Sequence, residues 1–206
     1  RKREDYNGSL EQLEERVRIL SAIASHFNAI LDFHSGSDKR LEVYRTISKA
    51  CGGRLKLKMS GVYQLVFFET LASFPKSTEE RRLFEEIWEY ALKYAKEKAL
   101  EGDKTAKTQV EDLYKRIEEQ RAKGVEYIAS PKDDFFRYYS FIVVGAKDEE
   151  GRYIFRDRLY AIAERKQVKE RYTPRVVELT KQTAKALGLE GSRPKAVLRL
   201  KRLSYS

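Results

Sequence analysis

Between Ser9 and Leu31 apolar residues return every three or four positions, at Leu10, Leu13, Val17, Leu20, Ala24, Phe27 and Leu31. That spacing predicts one long amphipathic helix, ending near Phe33–Gly36. Ser9-Leu10-Glu11-Gln12 is a capping box at its start. Ser37 opens a second helix with Leu41, Tyr44 and Ile47 inward and Gly52-Gly53 as its stop. The short link between the two predicts a helical hairpin. Arg54–Met59 alternates strictly and reads as a short basic strand broken by Gly61. The apolar stretch Val62–Phe74 fits a helix better than a buried strand, by its length and by Leu65, Phe68, Leu71 and Ala72.

The clearest helix follows Ser77-Thr78-Glu79-Glu80, with Leu83, Phe84, Ile87, Trp88, Ala91, Tyr94 and Ala95 as its stripe. Its period predicts a buried Trp88 among Phe84, Leu92 or other rings. A further helix, Thr105–Lys123, turns Val110, Leu113, Tyr114 and Ile117 inward and stops at Gly124. Beyond it the pattern changes. Val125–Ala129 reads as a short strand and Ser130–Asp134 as a loop. Tyr138–Ala146 is nearly all aromatic or β-branched, Lys147–Gly151 is a charged loop ending in glycine, and the residues after it alternate. These features predict a β-hairpin, Tyr138–Ala146 paired with Arg152–Ala163. Thr173-Pro174 then starts a last helix to Leu187, and Lys195–Leu203 reads as a final strand.

The expected fold class is therefore α+β. Four or five helices fill residues 1–124, and a small, mostly antiparallel sheet with one further helix fills 125–206, as one compact domain or two tightly packed halves.

Composition adds three constraints. The 206 residues are 41% apolar and 36% charged, as in a globular chain of one core or two small ones. No apolar run approaches the roughly 20 residues that span a bilayer, and no signal-peptide pattern opens the sequence. A single cysteine, Cys51, excludes an internal disulfide and a multi-cysteine zinc site. The two histidines, His26 and His34, fall eight apart on the first expected helix, as incidental members of one face. Few asparagines and one methionine beside abundant Lys, Arg and Glu suit a thermophile.

Charge changes the functional picture. Residues 1–150 hold 27 basic and 27 acidic side chains, whereas 151–206 hold 15 and 5, so the net +10 sits in the last quarter. A concentrated basic surplus points to a polyanion. Rings accompany it: Arg137, Tyr138, Arg152, Tyr153, Arg156, Arg158 and Tyr160 interleave cations with tyrosine on the expected hairpin. That is the arrangement that stacks bases and tracks a phosphate backbone. Lys166, Lys181, Lys185, Arg199 and Lys201 extend the surface as phosphate clamps. If alternate strand residues share a face, Arg152, Arg156 and Arg158 project together. Arg137–Val144 resembles the aromatic strand of an RNA-recognition motif, but Tyr138 stands where that motif has glycine and the helix order differs.

A second constellation is catalytic. Asp134 precedes one expected strand, and Glu164-Arg165-Lys166 ends the next. This order resembles the PD-(D/E)xK metal-dependent nucleases. The resemblance implies that Asp134 and Glu164 hold Mg²⁺ and that Lys166 orients the attacking water. The residues themselves favour Glu164 pairing with a nearby arginine instead of converging with Asp134. No P-loop, dinucleotide fingerprint or catalytic triad is present.

The sequence thus predicts an intracellular, cytoplasmic or nucleoid-associated protein that binds DNA or RNA through a basic, tyrosine-rich sheet and needs no cofactor. Mg²⁺ enters only with the nuclease alternative. A third alternative is a coat or scaffold subunit that packages nucleic acid inside a particle and assembles through its N-terminal helices.

Overall fold

A computed structural model describes Tyr6, residues 8–34 and residues 39–189. The fold is α+β, with helices dominant and, among the described residues, one two-stranded parallel sheet. Among the described residues the order is α1 (Leu10–His26), β1 (Leu31–His34), α2 (Leu41–Ala50), β2 (Leu55–Lys58), α3 (Ser60–Ala72), α4 (Glu79–Leu100), α5 (Lys104–Ala122), α6 (Asp134–Val143), α7 (Arg156–Ala163) and α8 (Lys166–Ala186). Contacts divide the chain into two compact units. Among the described residues, one comprises Tyr6, residues 32–34, Lys39 and residues 57–178; the other comprises residues 8–31, 40–56 and 179–189.

In the smaller unit Ser9 caps α1, its hydroxyl accepting from the Gln12 N–H at 3.2 Å. The helix ends sooner than its apolar stripe implies. Asn28 takes φ 53°, and the Ala29 N–H returns to the Ala24 carbonyl at 2.8 Å. That is a left-handed stop, and asparagine tolerates it better than most residues. The expected helix to Phe33–Gly36 is thus corrected: Leu31–His34 is a strand, and His34 leaves the helix face assigned to it. Helix α1 packs on α2, tied by Glu14 to Lys49 at 3.1 Å. Val17 is buried, whereas Ile19, Leu20, Ile23 and Phe27 stay more than half exposed. At the far end of α8, Leu187 accepts from the buried Ser48 hydroxyl at 2.7 Å.

The larger unit is organised around α4, against which α3, α5, α6 and α7 pack. Thr78 caps it, and Leu83, Phe84, Ile87, Trp88, Ala91 and Ala95 are buried, as the stripe predicts. Phe136 of α6 lies between Phe68 and Phe84, in edge contacts with ring centroids 5.1 and 5.4 Å apart. Asp103 caps α5 through the N–H groups of Thr105 and Ala106. Glu80, at the start of α4, is buried. It accepts from Arg165 at 3.0 Å and Gln167 at 2.7 Å, which fixes the junction of α7 and α8.

The expected hairpin is overturned. Tyr138–Ala146 belongs largely to α6 and Arg152–Ala163 largely to α7. Phe135, Phe136, Tyr139, Ser140 and Val143 are buried in the i, i+1, i+4, i+5, i+8 pattern of one helix face. Strand propensity reflects fit to a half-buried sheet surface, and here α4 supplies a face that favours a helix. The turn itself is where the sequence places it. Gly151 has φ 79°, Asp148 accepts from the N–H groups of Glu150 and Arg152, and one antiparallel bridge joins Lys147 to Tyr153.

Val125–Ala129 is irregular chain, not a strand. Helix α8 begins at Lys166, eight residues before Pro174, which sits inside it. The expected antiparallel sheet is replaced by the parallel pair β1–β2. The final strand, Lys195–Leu203, lies outside the described residues. No helix among the described residues is long and apolar enough to cross a membrane.

Candidate functional site

Strands β1 and β2 flank α2 in a β–α–β order. Both alternate: Leu31, Phe33, Leu55 and Leu57 are half-buried, while Asp32, His34, Lys56 and Lys58 are exposed. Strict alternation puts the apolar set on one face and the polar set on the other. In parallel sheets ligands bind beyond the carboxyl ends of the strands, where the following loops and helix N-termini converge. His34 ends β1 and Lys58 ends β2. Helix α3 starts two residues after Lys58, and no side chain caps its N-terminus. A free helix N-terminus favours an anion, and Lys58 adds a full charge nearby.

Asp32, His34 and Lys58, all in the larger unit, combine a carboxylate, an imidazole and an ammonium group. Such a set can bind hydroxyls, hold a carboxylate and move a proton. Behind α3, Tyr172 of α8 donates its hydroxyl to the Tyr63 carbonyl at 3.2 Å, and Arg171 donates to the Ser73 carbonyl at 3.2 Å. The helix that follows Lys58 is thereby held at both ends.

Asp32 and Lys58 are not among the residues the sequence singles out, and His34 enters there only as an incidental member of a helix face. The available signal was the alternation Leu31-Asp32-Phe33-His34, the same as in Arg54–Met59. The helical stripe running through Leu31 concealed it.

The residues chosen from sequence scatter. Arg152 sits in the turn and pairs with Asp148 at 2.8 Å and Glu150 at 2.9 Å. Arg158 on α7 pairs with Glu86 of α4 at 2.5 Å. Arg156 lies over the Tyr153 ring at 3.8 Å, with Lys147 4.7 Å from the same ring. Because α7 is a helix, Arg156 and Arg158 point to different sides, and the expected common face with Arg152 does not form. Arg137 and Tyr138 are half-buried on α6, Tyr138 edge-on to Tyr139 at 4.9 Å. Tyr160 is exposed. Lys166 opens α8, 3.8 Å from Glu170. Lys181 and Lys185 are exposed on α8 within the smaller unit. Arg199 and Lys201 lie outside the described residues.

The nuclease constellation does not assemble either. Asp134 is an exposed first-turn residue of α6, and Glu164 pairs with Lys169 at 2.5 Å, a lysine in place of the expected arginine. Among the described residues no group of three His, Cys, Asp or Glu side chains is placed to share a metal ion.

Comparison with known proteins turns the reading toward sugar chemistry. The family model UxaE, tagaturonate epimerase, matches residues 1–185. Crystal structures of the fructuronate-tagaturonate epimerase UxaE from Cohnella laeviribosi share the fold. A form with one bound glycerol is 21% identical over 89% of this chain, with TM-score 0.57. A form with two glycerols is 19% identical over 90%, also at 0.57. The native form is 20% identical over 89%, at 0.51. The chain spans 36% of the length of these relatives. No curated protein matches the chain.

The family match overturns the nucleic-acid-binding expectation, its DNA or RNA partners, and both alternatives, the PD-(D/E)xK nuclease and the nucleic-acid-packaging subunit. Nucleoid association loses its basis with them. Since residues 1–185 of 206 answer to one family description, the chain belongs to the UxaE family of tagaturonate epimerases.

Proposed function

We propose that this chain contributes to an epimerase of keto sugar acids, interconverting tagaturonate and fructuronate. The observation that carries the reading is the family match over residues 1–185. The parallel β1–α2–β2 unit supports it, because its exposed face suits such a substrate. A keto sugar acid carries one carboxylate, one carbonyl and several hydroxyls, and almost no apolar surface. Lys58 and the uncapped start of α3 offer positive charge for the carboxylate. Asp32 and His34 offer hydrogen bonds to hydroxyls. His34 can also give and take the proton that accompanies breaking and remaking a bond at the inverted carbon.

The test is direct. Tagaturonate supplied to the protein in its native assembly should yield fructuronate, followed by NMR of the sugar acid, and the reverse reaction should reach the same mixture. His34→Ala and Lys58→Ala should each lower turnover by about 10²-fold with the far-ultraviolet circular dichroism retained. Absence of interconversion would remove the function. Full turnover in both variants would move the site away from the strand ends.

A further inference from the structure

A second feature of the larger unit has different chemistry. Helices α3, α6, α7 and α8 enclose an open cleft of about 730 Å³, within the ordinary size of small-molecule sites. Its walls are mainly apolar: Phe67, Val144, Leu159 and Tyr172 line it. Phe67 and Tyr172 meet edge to face, ring centroids 5.4 Å apart, and make a fixed aromatic corner.

Polar atoms occur at a few points only. The Gln64 side-chain nitrogen is buried in this lining and has no hydrogen-bond partner. Two cations, Arg156 and Lys169, also line the cleft. Arg156 lies over the Tyr153 ring, and its ion pair with Asp157 uses Nε at 2.9 Å, which leaves the terminal nitrogens for another acceptor. Lys169 pairs with Glu164. Both acidic partners are well exposed, at 74% and 78%, so water screens these pairs and an incoming anion can replace them.

We propose that this cleft binds a small amphipathic carboxylate. Its apolar body lies on Phe67, Leu159 and Tyr172, and its carboxylate meets Arg156 and Lys169. The assignment goes beyond the sugar-acid reading and does not depend on it, since a polyhydroxylated acid gains little from these walls. A purely apolar occupant would waste two cations; a purely polar one would waste the aromatic corner.

The probes are 2-naphthoate and its uncharged counterpart 2-naphthamide, titrated by NMR and calorimetry against the full chain. Naphthoate should bind about tenfold more tightly than naphthamide, as charge-assisted hydrogen bonds predict. The double variant R156Q/K169Q should erase that preference and leave naphthamide binding unchanged. Leu159→Trp, which fills the cleft, should abolish binding of both. Should that variant fail to fold, intermolecular NOEs from the naphthyl protons to Leu159 methyls and the Tyr172 ring of the unaltered protein decide the point. Equal affinity of the two probes would overturn carboxylate recognition. Binding that survives Leu159→Trp, NOEs to α1 instead, or no binding of either probe would overturn the site.

Discussion

Trp88 donates its indole N–H to the Asp133 carboxylate at 2.8 Å, and the two residues, 45 positions apart, are both buried. The same carboxylate accepts from the Tyr127 hydroxyl at 2.5 Å and the Ser130 N–H at 3.1 Å, and lies 3.3 Å from Arg116. One carboxyl group thus ties α4, α5 and the irregular stretch before α6. It precedes α6 as N-cap, yet its side chain turns inward and makes no capping bond.

Asp133→Ala should destabilise the protein by about 3–5 kcal/mol, because it leaves the buried Trp88 N–H and the part-buried Tyr127 and Ser130 donors without their acceptor. Asp133→Asn, which keeps one acceptor oxygen, should cost less. Urea unfolding followed by Trp88 fluorescence measures both. The same variants should shift the Trp88 emission to the red, whereas in the native protein it is typical of a buried indole.

Alkaline stability follows from two tyrosines. Burial pushes Tyr127 up, and its bond to Asp133 pushes it further, well above the ordinary tyrosine range. Burial also pushes Tyr139 up to about 12. Near pH 10 the unfolded chain loses these protons while the folded chain keeps them. Stability is therefore fully present below pH 10 and falls as pH rises beyond it. Absorbance titration at 295 nm should show Tyr127 and Tyr139 among the tyrosines that ionise late. Tyr127→Phe together with Tyr139→Phe should flatten the loss of stability above pH 10.

Glu80 responds in the opposite direction. Burial alone would raise its pKa, but bonds from a backbone N–H, Gln167 and Arg165 outweigh it and hold the carboxyl below its ordinary value. Its contribution is present above about pH 4.3 and is lost as pH falls through the depressed value. Glu80→Gln should cost about 1–3 kcal/mol at pH 7, and the difference from the native protein should shrink in acid. Thermal melts of both proteins between pH 7 and pH 2 test this. A constant difference across that range would show that its charge is not what anchors α8.

Phe136→Ala should cost about 3–5 kcal/mol, since the ring is wholly buried between Phe68 and Phe84. Tyr160→Ala, on an exposed residue of α7, should cost less than about 0.5 kcal/mol. Chemical denaturation distinguishes the two. A similar cost at both sites would contradict α7 as a surface helix.

Several elements are legible in the sequence alone. The caps at Ser9 and Thr78, the buried stripe of α4 including Trp88, the helix at Ser60–Ala72 and the short strand within Arg54–Met59 all rest on contacts within one or two turns of chain. The site was less legible. Asp32, His34 and Lys58 lie on two four-residue strands, each too short to outweigh a neighbouring helical pattern. The basic and aromatic residues that drew attention instead are mostly spent inside the protein: Arg158 on Glu86, Arg152 on its own turn, and Tyr138 against Tyr139.

By itself the sequence determined the caps at Ser9 and Thr78 and the turn at Lys147–Gly151, because those choices are made by side chains that reach only a few residues. It also determined that Trp88 is inside, since the α4 stripe has one apolar face. Only the tertiary structure decided that Tyr138–Val143 is helix and not strand. A continuous run of aromatic and β-branched residues satisfies either form, and burial against α4 selects the one whose period matches that surface. Tertiary structure likewise decided the role of Asp133. Its neighbours in sequence place it in a loop, but a buried indole N–H 45 residues away offers the carboxylate a partner that water cannot replace.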